Sequence, residues 1–175
     1  MIGIPLGLAW GNVTEWLTHK YLLHGLGMKK GSVFDFHFHE HHRTVRKTGG
    51  YDAGYLRPLR GWHAQTKEVA ALAVAAAIHL PLAPIAPFFT GAVLWSVWNY
   101  YQVHKRAHLD PEWARTHLPW HVDHHLGPDQ HKNWCVTKPW FDIVMGTRIP
   151  YLGTQREAAD REKRAARAEA AAETA

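Results

Sequence analysis

The chain has 175 residues, 15 of them histidine, and a net charge of +5 with histidine neutral. That length suits one domain. Its single cysteine, Cys135, excludes an intrachain disulfide framework, a multi-cysteine zinc site and a cysteine-ligated iron–sulfur cluster.

Mean hydropathy is −0.32, which argues against a wholly membrane-buried protein, yet apolar and polar residues are strongly segregated along the chain. The opening stretch "MIGIPLGLAWGNVTEW" lacks a basic leader and meets Glu15 early, so no secretory signal peptide is expected. Ile2 to Leu23 is apolar apart from residues such as Asn12 and Glu15, and reads either as a span or as an interfacial segment. "THKYLLHG" then supplies His19 and His24, and "FDFHFHEHHRTVRK" supplies His37, His39, His41 and His42.

From Val69 to Val103 there is no Asp, Glu, Lys or Arg. Pro81, Pro84 and Pro87 divide this run, and proline breaks a helix interior, so the pattern predicts two helices at about 67–80 and 88–108. Each apolar half is shorter than the roughly 20 residues a comfortable span needs. The expectation is therefore a tight transmembrane hairpin or one that enters the bilayer and returns, with a buried hairpin of a water-soluble fold as the alternative. Trp95, Trp98, Tyr100 and Tyr101 resemble an interfacial belt. Eight Lys/Arg against three acids between Lys29 and Lys67, and Lys105 with Arg106 after the second helix, place both ends on the cytoplasmic side.

Beyond the hairpin, "VHKRAHL" carries His104 and His108, and "HLPWHVDHH" carries His117, His121, His124 and His125. The tail from 155 to 175, rich in Ala, Glu and Arg, reads as an exposed helix or a fraying end without assigned function.

The spacings are H-x4-H, H-x3-HH, H-x3-H and H-x2-HH. Residues three or four apart share a helix face, so His37/His41, His104/His108 and His121/His124/His125 can each aim rings at one point. His19 and His24, five apart, fall about 140° from each other on an ideal helix. They must straddle a site or occupy an irregular helix end. Imidazoles from several helices build metal sites in helical bundles and suit iron, zinc, copper or nickel. Ten paired histidines are too many for one ion but serve two at five each, leaving room for an oxygen ligand.

This succession of boxes resembles the fatty acid hydroxylase / sterol desaturase superfamily of integral-membrane di-metal oxygenases. "HVDHHLGPDQHKNWCVTKPWFDIVMGTR" looks like that superfamily's closing signature, and "EWLTHKYLLHG" is also similar to the first box of bacterial carotenoid ring hydroxylases. The matches cover about residues 10 to 150. The second box departs from the usual H-x2-HH, so its first ligand is His37 or His39, and the N-terminal part is short for a family that commonly has four spans.

The resulting expectation is an all-α integral-membrane helical bundle over residues 1–154, with a transmembrane or re-entrant hairpin at about 67–108 and a cytoplasmic, histidine-rich di-metal cap. Its location would be a bacterial inner membrane or its equivalent. The expected ligands are His19, His24, His37, His41, His42, His104, His108, His121, His124 and His125. His39, His117, His131, Asp123 and Asp142 are candidates to orient them, since metal-bound imidazole commonly donates its other N–H to a carboxylate. His63 and His79 are expected to be interfacial or packed. The resemblance implies two iron ions, with zinc in recombinant material, and O2-dependent hydroxylation or desaturation of a lipid such as a fatty acyl chain, sterol-like terpenoid or carotenoid. No haem or flavin motif is present, so electrons would come from an external ferredoxin or cytochrome with its reductase. The competing class is a non-catalytic membrane metal-binding or metal-handling protein. Nucleic acid is not an expected partner, because the basic loop lacks interleaved stacking aromatics.

Overall fold

The computed structural model describes residues 2–173, so Met1 and the last two residues of the tail lie outside it. The described residues are helical, with no strand: α1 (Gly3–Leu17), α2 (Arg43–Thr48), α3 (Ala64–His79), α4 (Pro87–Leu109), α5 (Pro111–His117), α6 (Pro119–Leu126), α7 (Trp140–Val144) and α8 (Gln155–Glu173). Two π-helical segments, Thr18–Leu23 and Phe36–His42, continue α1 and precede α2.

The closest helix pairing joins α1 to α4. Gly3, Gly7 and Gly11 recur every four residues, hence on one face of α1. A Cβ at Gly7 would stand 2.6 Å from the Phe89 carbonyl and 2.7 Å from the Ala92 Cβ, and one at Gly11 would meet the Ser96 side chain at 2.7 Å. Only glycine permits this approach. The polar residues of the first apolar stretch face inward. The Glu15 carboxylate accepts the Val136 and Thr137 N–H groups and the Thr137 hydroxyl, while Asn12 donates to the Lys138 carbonyl and accepts from the Phe141 N–H. They bind α1 to the loop that precedes α7. Burial pushes the Glu15 carboxyl up to about 7, against the donors aimed at it.

The hairpin exists: α3 and α4 flank the proline-rich turn. Its expected passage through a membrane does not hold. No helix among the described residues is long and apolar enough to cross a bilayer, which corrects both the integral-membrane fold class and the integral-membrane location. The cytoplasmic placement of the hairpin ends falls with it. At 1.5 Å per residue, the 16 residues of α3 reach about 24 Å, less than the roughly 30 Å of a hydrocarbon core. With 23 residues α4 is long enough, but its last turns carry His104, Lys105, Arg106 and His108. The apolar side chains at the turn end of these helices are nonetheless uncovered: Ile78, Ile85 in the turn and Phe88 are 68%, 81% and 56% exposed, and Ile2, just before α1, and Leu6 within it are exposed too.

The apolar core is small. Ala107, Ala114, Leu118, Val122, Leu126 and Tyr151 form one cluster, and Trp16, Trp134 and Cys135 a second. Most of the interior between them is imidazole.

Candidate metal centre

All ten paired histidines are buried. They divide into two groups. His19, His24, His37, His42 and His124 each bring one ring nitrogen within 4.8 Å of all the others; His41, His104, His108 and His125 do the same. The His121 Nε2 lies 3.1 Å from the His108 Nε2 and extends the second group to five.

The π-helical backbone explains the partition. In such a segment the N–H of residue i+5 meets the carbonyl of residue i, as between His24 and His19 at 2.9 Å. Residues five apart therefore come to one face. His19 and His24 enter the first group together, and so do His37 and His42. His41 turns to the second group, contrary to the shared His37/His41 face expected from α-helical spacing. On α6 the three histidines also split, His124 to the first group and His121 with His125 to the second. His104 and His108 on α4, and His121 and His125 on α6, are the pairs that follow the four-residue rule, both on regular α-helix.

Within the first group the Nε2 atoms of His19 and His37 are 2.9 Å apart, those of His24 and His42 3.0 Å, and those of His42 and His124 3.0 Å. In the second group the His104 and His108 Nε2 atoms are 3.2 Å apart. Nitrogens about 2.1 Å from one ion, at right angles, stand about 3.0 Å from each other. The His41 Nε2 and both ring nitrogens of His125 are buried without a hydrogen-bond partner, an arrangement that costs free energy unless something binds them. Burial, reinforced by neighbouring imidazoles, lowers the pKa of His19 to about 4 and depresses those of His24, His37, His42, His104, His108, His121, His124 and His125. Neutral rings keep a lone pair for a cation. These clusters could hold metal ions.

The outward ring nitrogens of the first group meet backbone. His19 Nδ1–H donates to the Trp134 carbonyl and His124 Nδ1–H to the Lys132 carbonyl. The intervening Asn133 has φ of 59°, a left-handed conformation that asparagine tolerates, and this reversal lets both flanking carbonyls face histidines. In the second group His108 Nδ1–H donates to the Gly50 carbonyl, but His41 donates to Asp52 at 3.3 Å and His104 to Glu68. Gln65 and the Gly54 N–H hold Asp52 in place, and the Tyr55 hydroxyl donates to Glu68 at 2.7 Å. Burial pushes the Glu68 carboxyl up to about 7, with the Tyr55 hydrogen bond opposing it. Sequence spacing gave no sign of Asp52 or Glu68, because each lies far along the chain from the imidazole it meets.

The other candidates sit apart from the two groups. His39 donates to the Met28 carbonyl, so His37 rather than His39 joins the cluster. His117 is exposed and stacks on Trp113. His131 is exposed at the rim, its ring 5.5 Å from that of His24. Asp123 pairs with Arg148 at 2.7 Å and accepts the Tyr151 and Leu152 N–H groups. Asp142 accepts from the Trp134 and Cys135 N–H groups and from Thr147, so it fixes the loop that supports His19 without touching an imidazole. His63 bonds within its own turn, and His79 accepts from the Trp10 indole at 2.9 Å.

A cavity of about 140 Å³ lies between α1, α3 and α4 and is lined by the imidazoles of His19, His37, His41 and His104, two from each group, and by His79. Its wall is mainly apolar, with Leu72, Ala75, Val93 and Val97 along its length. From Val93 to His104 the α4 wall extends about 16 Å. A second cavity, of about 190 Å³, reaches His108, His121 and His125 and is lined by charged residues including Arg115 and Glu157. No protein-family model, curated protein or solved structure matches the chain.

Proposed function

We propose that the protein is an O2-dependent oxidoreductase that holds two iron ions on its ten buried histidines and hydroxylates or desaturates a C–H bond of a lipid. The observation that carries this reading is the mainly apolar cavity, which is lined by ligands of both groups at once. Bound iron would supply dioxygen activation, which imidazole alone does not.

The chain's own contributions follow from the geometry. The first group's nitrogens are held by the π-helical turns and by the carbonyls on either side of Asn133. The second group's are held by Asp52, Glu68 and the Gly50 carbonyl. The apolar walls exclude water and align an extended chain toward His19, His37, His41 and His104. The cavity wall is mainly apolar, with Glu15, Glu68 and His79 among its polar residues besides the ligands, which suits an acyl or isoprenoid chain better than a polar metabolite. Hydroxylation consumes one O2, two electrons and two protons per alcohol and releases one water. The electrons require an external donor such as a ferredoxin or cytochrome with its reductase. Tyr55 and Glu68 form a short hydrogen-bonded path beside His104 along which a proton can be passed.

The test is to load the purified chain anaerobically with ferrous iron, add a reductant and candidate lipids, and admit oxygen. The reading expects lipid-dependent O2 uptake with a hydroxylated or desaturated product, lost when His124 and His125 are both replaced by Ala. Exchangeable metal without O2 uptake would instead assign the histidines to metal handling.

A further inference from the structure

The two groups of histidines have the same ligand chemistry but different surroundings. In the first group the outward nitrogens of His19 and His124 meet neutral backbone, at Trp134 and Lys132, and the Nδ1 atoms of His24 and His42 have no hydrogen-bond partner, as is also true of His121 and His125 in the second. Behind the second stand two carboxylates, each hydrogen-bonded directly to an imidazole N–H. Asp142, the acid nearest the first group's support, is occupied by the N–H groups of Trp134 and Cys135. Asp52 comes from the stretch between the second histidine box and α3 and Glu68 from α3 itself, and their own partners (Gln65 and Gly54 for Asp52, Tyr55 for Glu68) hold them in position.

An imidazole that gives its N–H to a carboxylate is a more basic ligand through its other nitrogen, and its ring is fixed in the ligating tautomer. A carboxylate behind the ring would also compensate the charge of a bound cation, in surroundings that screen weakly. We propose that the two metal sites are unequal by construction. The site formed by His41, His104, His108, His121 and His125 fills first and retains its ion more tightly, and Asp52 and Glu68 are the positioning residues that make it so. This rests on the metal-binding part of the proposed function and not on any turnover.

The test uses zinc on the full metal-free chain, with no activity measured. At one equivalent, anomalous diffraction should place the ion predominantly among His41, His104, His108, His121 and His125; at two equivalents both positions fill. In titrations with a competing chelator, Asp52→Asn and Glu68→Gln should each weaken the tight step by about 10–100-fold, the usual cost of losing such a partner. The weak step should stay unchanged. Equal occupancy at one equivalent in the unmodified chain overturns the inference, whatever the variants do. So does a first ion found among His19, His24, His37, His42 and His124, or variants that weaken both steps alike. Saturation at a single ion would defeat the dinuclear reading itself, a result distinct from two ions bound equally.

Discussion

The histidine-lined interior and the apolar ends of α1, α3 and α4 invert the usual arrangement of a protein. In the first, ten polar rings are buried; in the second, Ile2, Ile78, Ile85 and Phe88 are exposed. Burying polar groups without partners costs free energy, and exposed aliphatic side chains contribute little to offset it. The apolar clusters around Leu118 and around Trp16 are small. The folded state therefore leans on whatever satisfies the ring nitrogens, and the largest expected effects lie there.

Metal removal should have the greatest consequence. In small metal-dependent domains a structural zinc contributes on the order of 10 kcal/mol of apparent binding energy, and this appears as folding energy. Stripping the chain with a chelator should lower its thermal midpoint sharply, and adding zinc or ferrous iron back should restore it. An unchanged midpoint would mean that the imidazoles are satisfied without an ion.

Next come single ligands. Replacing any of the ten histidines by Ala should lower metal content, by more than the roughly 10–100-fold affinity loss typical of a supporting residue. His63→Ala and His79→Ala should leave stoichiometry intact, because their ring nitrogens bond to neighbouring side chains and backbone away from both groups. Metal analysis across the series separates the two sets. Equal losses at all positions would contradict the partition.

Much of this site is legible in the sequence, and the limits are physical. The pairing of imidazoles at short intervals identifies the residues, since few other structures need such density. Their division between two groups is not legible, because α-helical spacing assumes 3.6 residues per turn while His19/His24 and His37/His42 lie on π-helical turns. Asp52 and Glu68 look like ordinary surface acids until the fold brings them to His41 and His104. For the hairpin, the proline-divided uncharged run shows two helices and a turn. It misleads about a membrane because α3 is short and the end of α4 is committed to His104 and His108.

Acidification should weaken the metal-free chain. Nine of the buried histidines have folded pKa values depressed below the ordinary 6.5. Below about pH 6.5 the unfolded chain binds more protons, so this stability is complete above that pH and is lost as the pH falls, for His19 through about 4. Glu15 and Glu68, both raised to about 7, work in the opposite direction, but they are two groups against nine. The thermal midpoint of the metal-free chain should be lower at pH 5.5 than at pH 7.5. A flat or reversed profile would show that the rings are not held neutral.

Steric packing between α1 and α4 ranks below these. In Gly7→Val the new side chain begins at a Cβ only 2.6 Å from the Phe89 carbonyl, so the helices must separate. Overpacking of this kind costs about 1–3 kcal/mol. Denaturant titration should show that loss, with the metal stoichiometry retained because no ligand comes from that contact. Full stability in Gly7→Val would mean that α1 stands farther from α4 than the glycine face implies.

The smallest effect is expected at the exposed apolar end, and it tests the other half of the inversion. Ile85 lies in the proline-rich turn and is 81% exposed, so its side chain is nearly as hydrated as in the unfolded state. Replacing it by Ser removes little buried area, and surface changes of this sort usually fall within about 0.5 kcal/mol. Ile78→Ser, at the end of α3 and 68% exposed, should behave alike. Both variants should keep the thermal midpoint and metal content of the parent in dilute aqueous solution. A loss approaching the roughly 1.5–3 kcal/mol of a fully buried aliphatic side chain would show that this end is packed against another surface under those conditions. A concentration-dependent loss would identify that surface as a second copy of the chain, because only an association shifts stability with protein concentration.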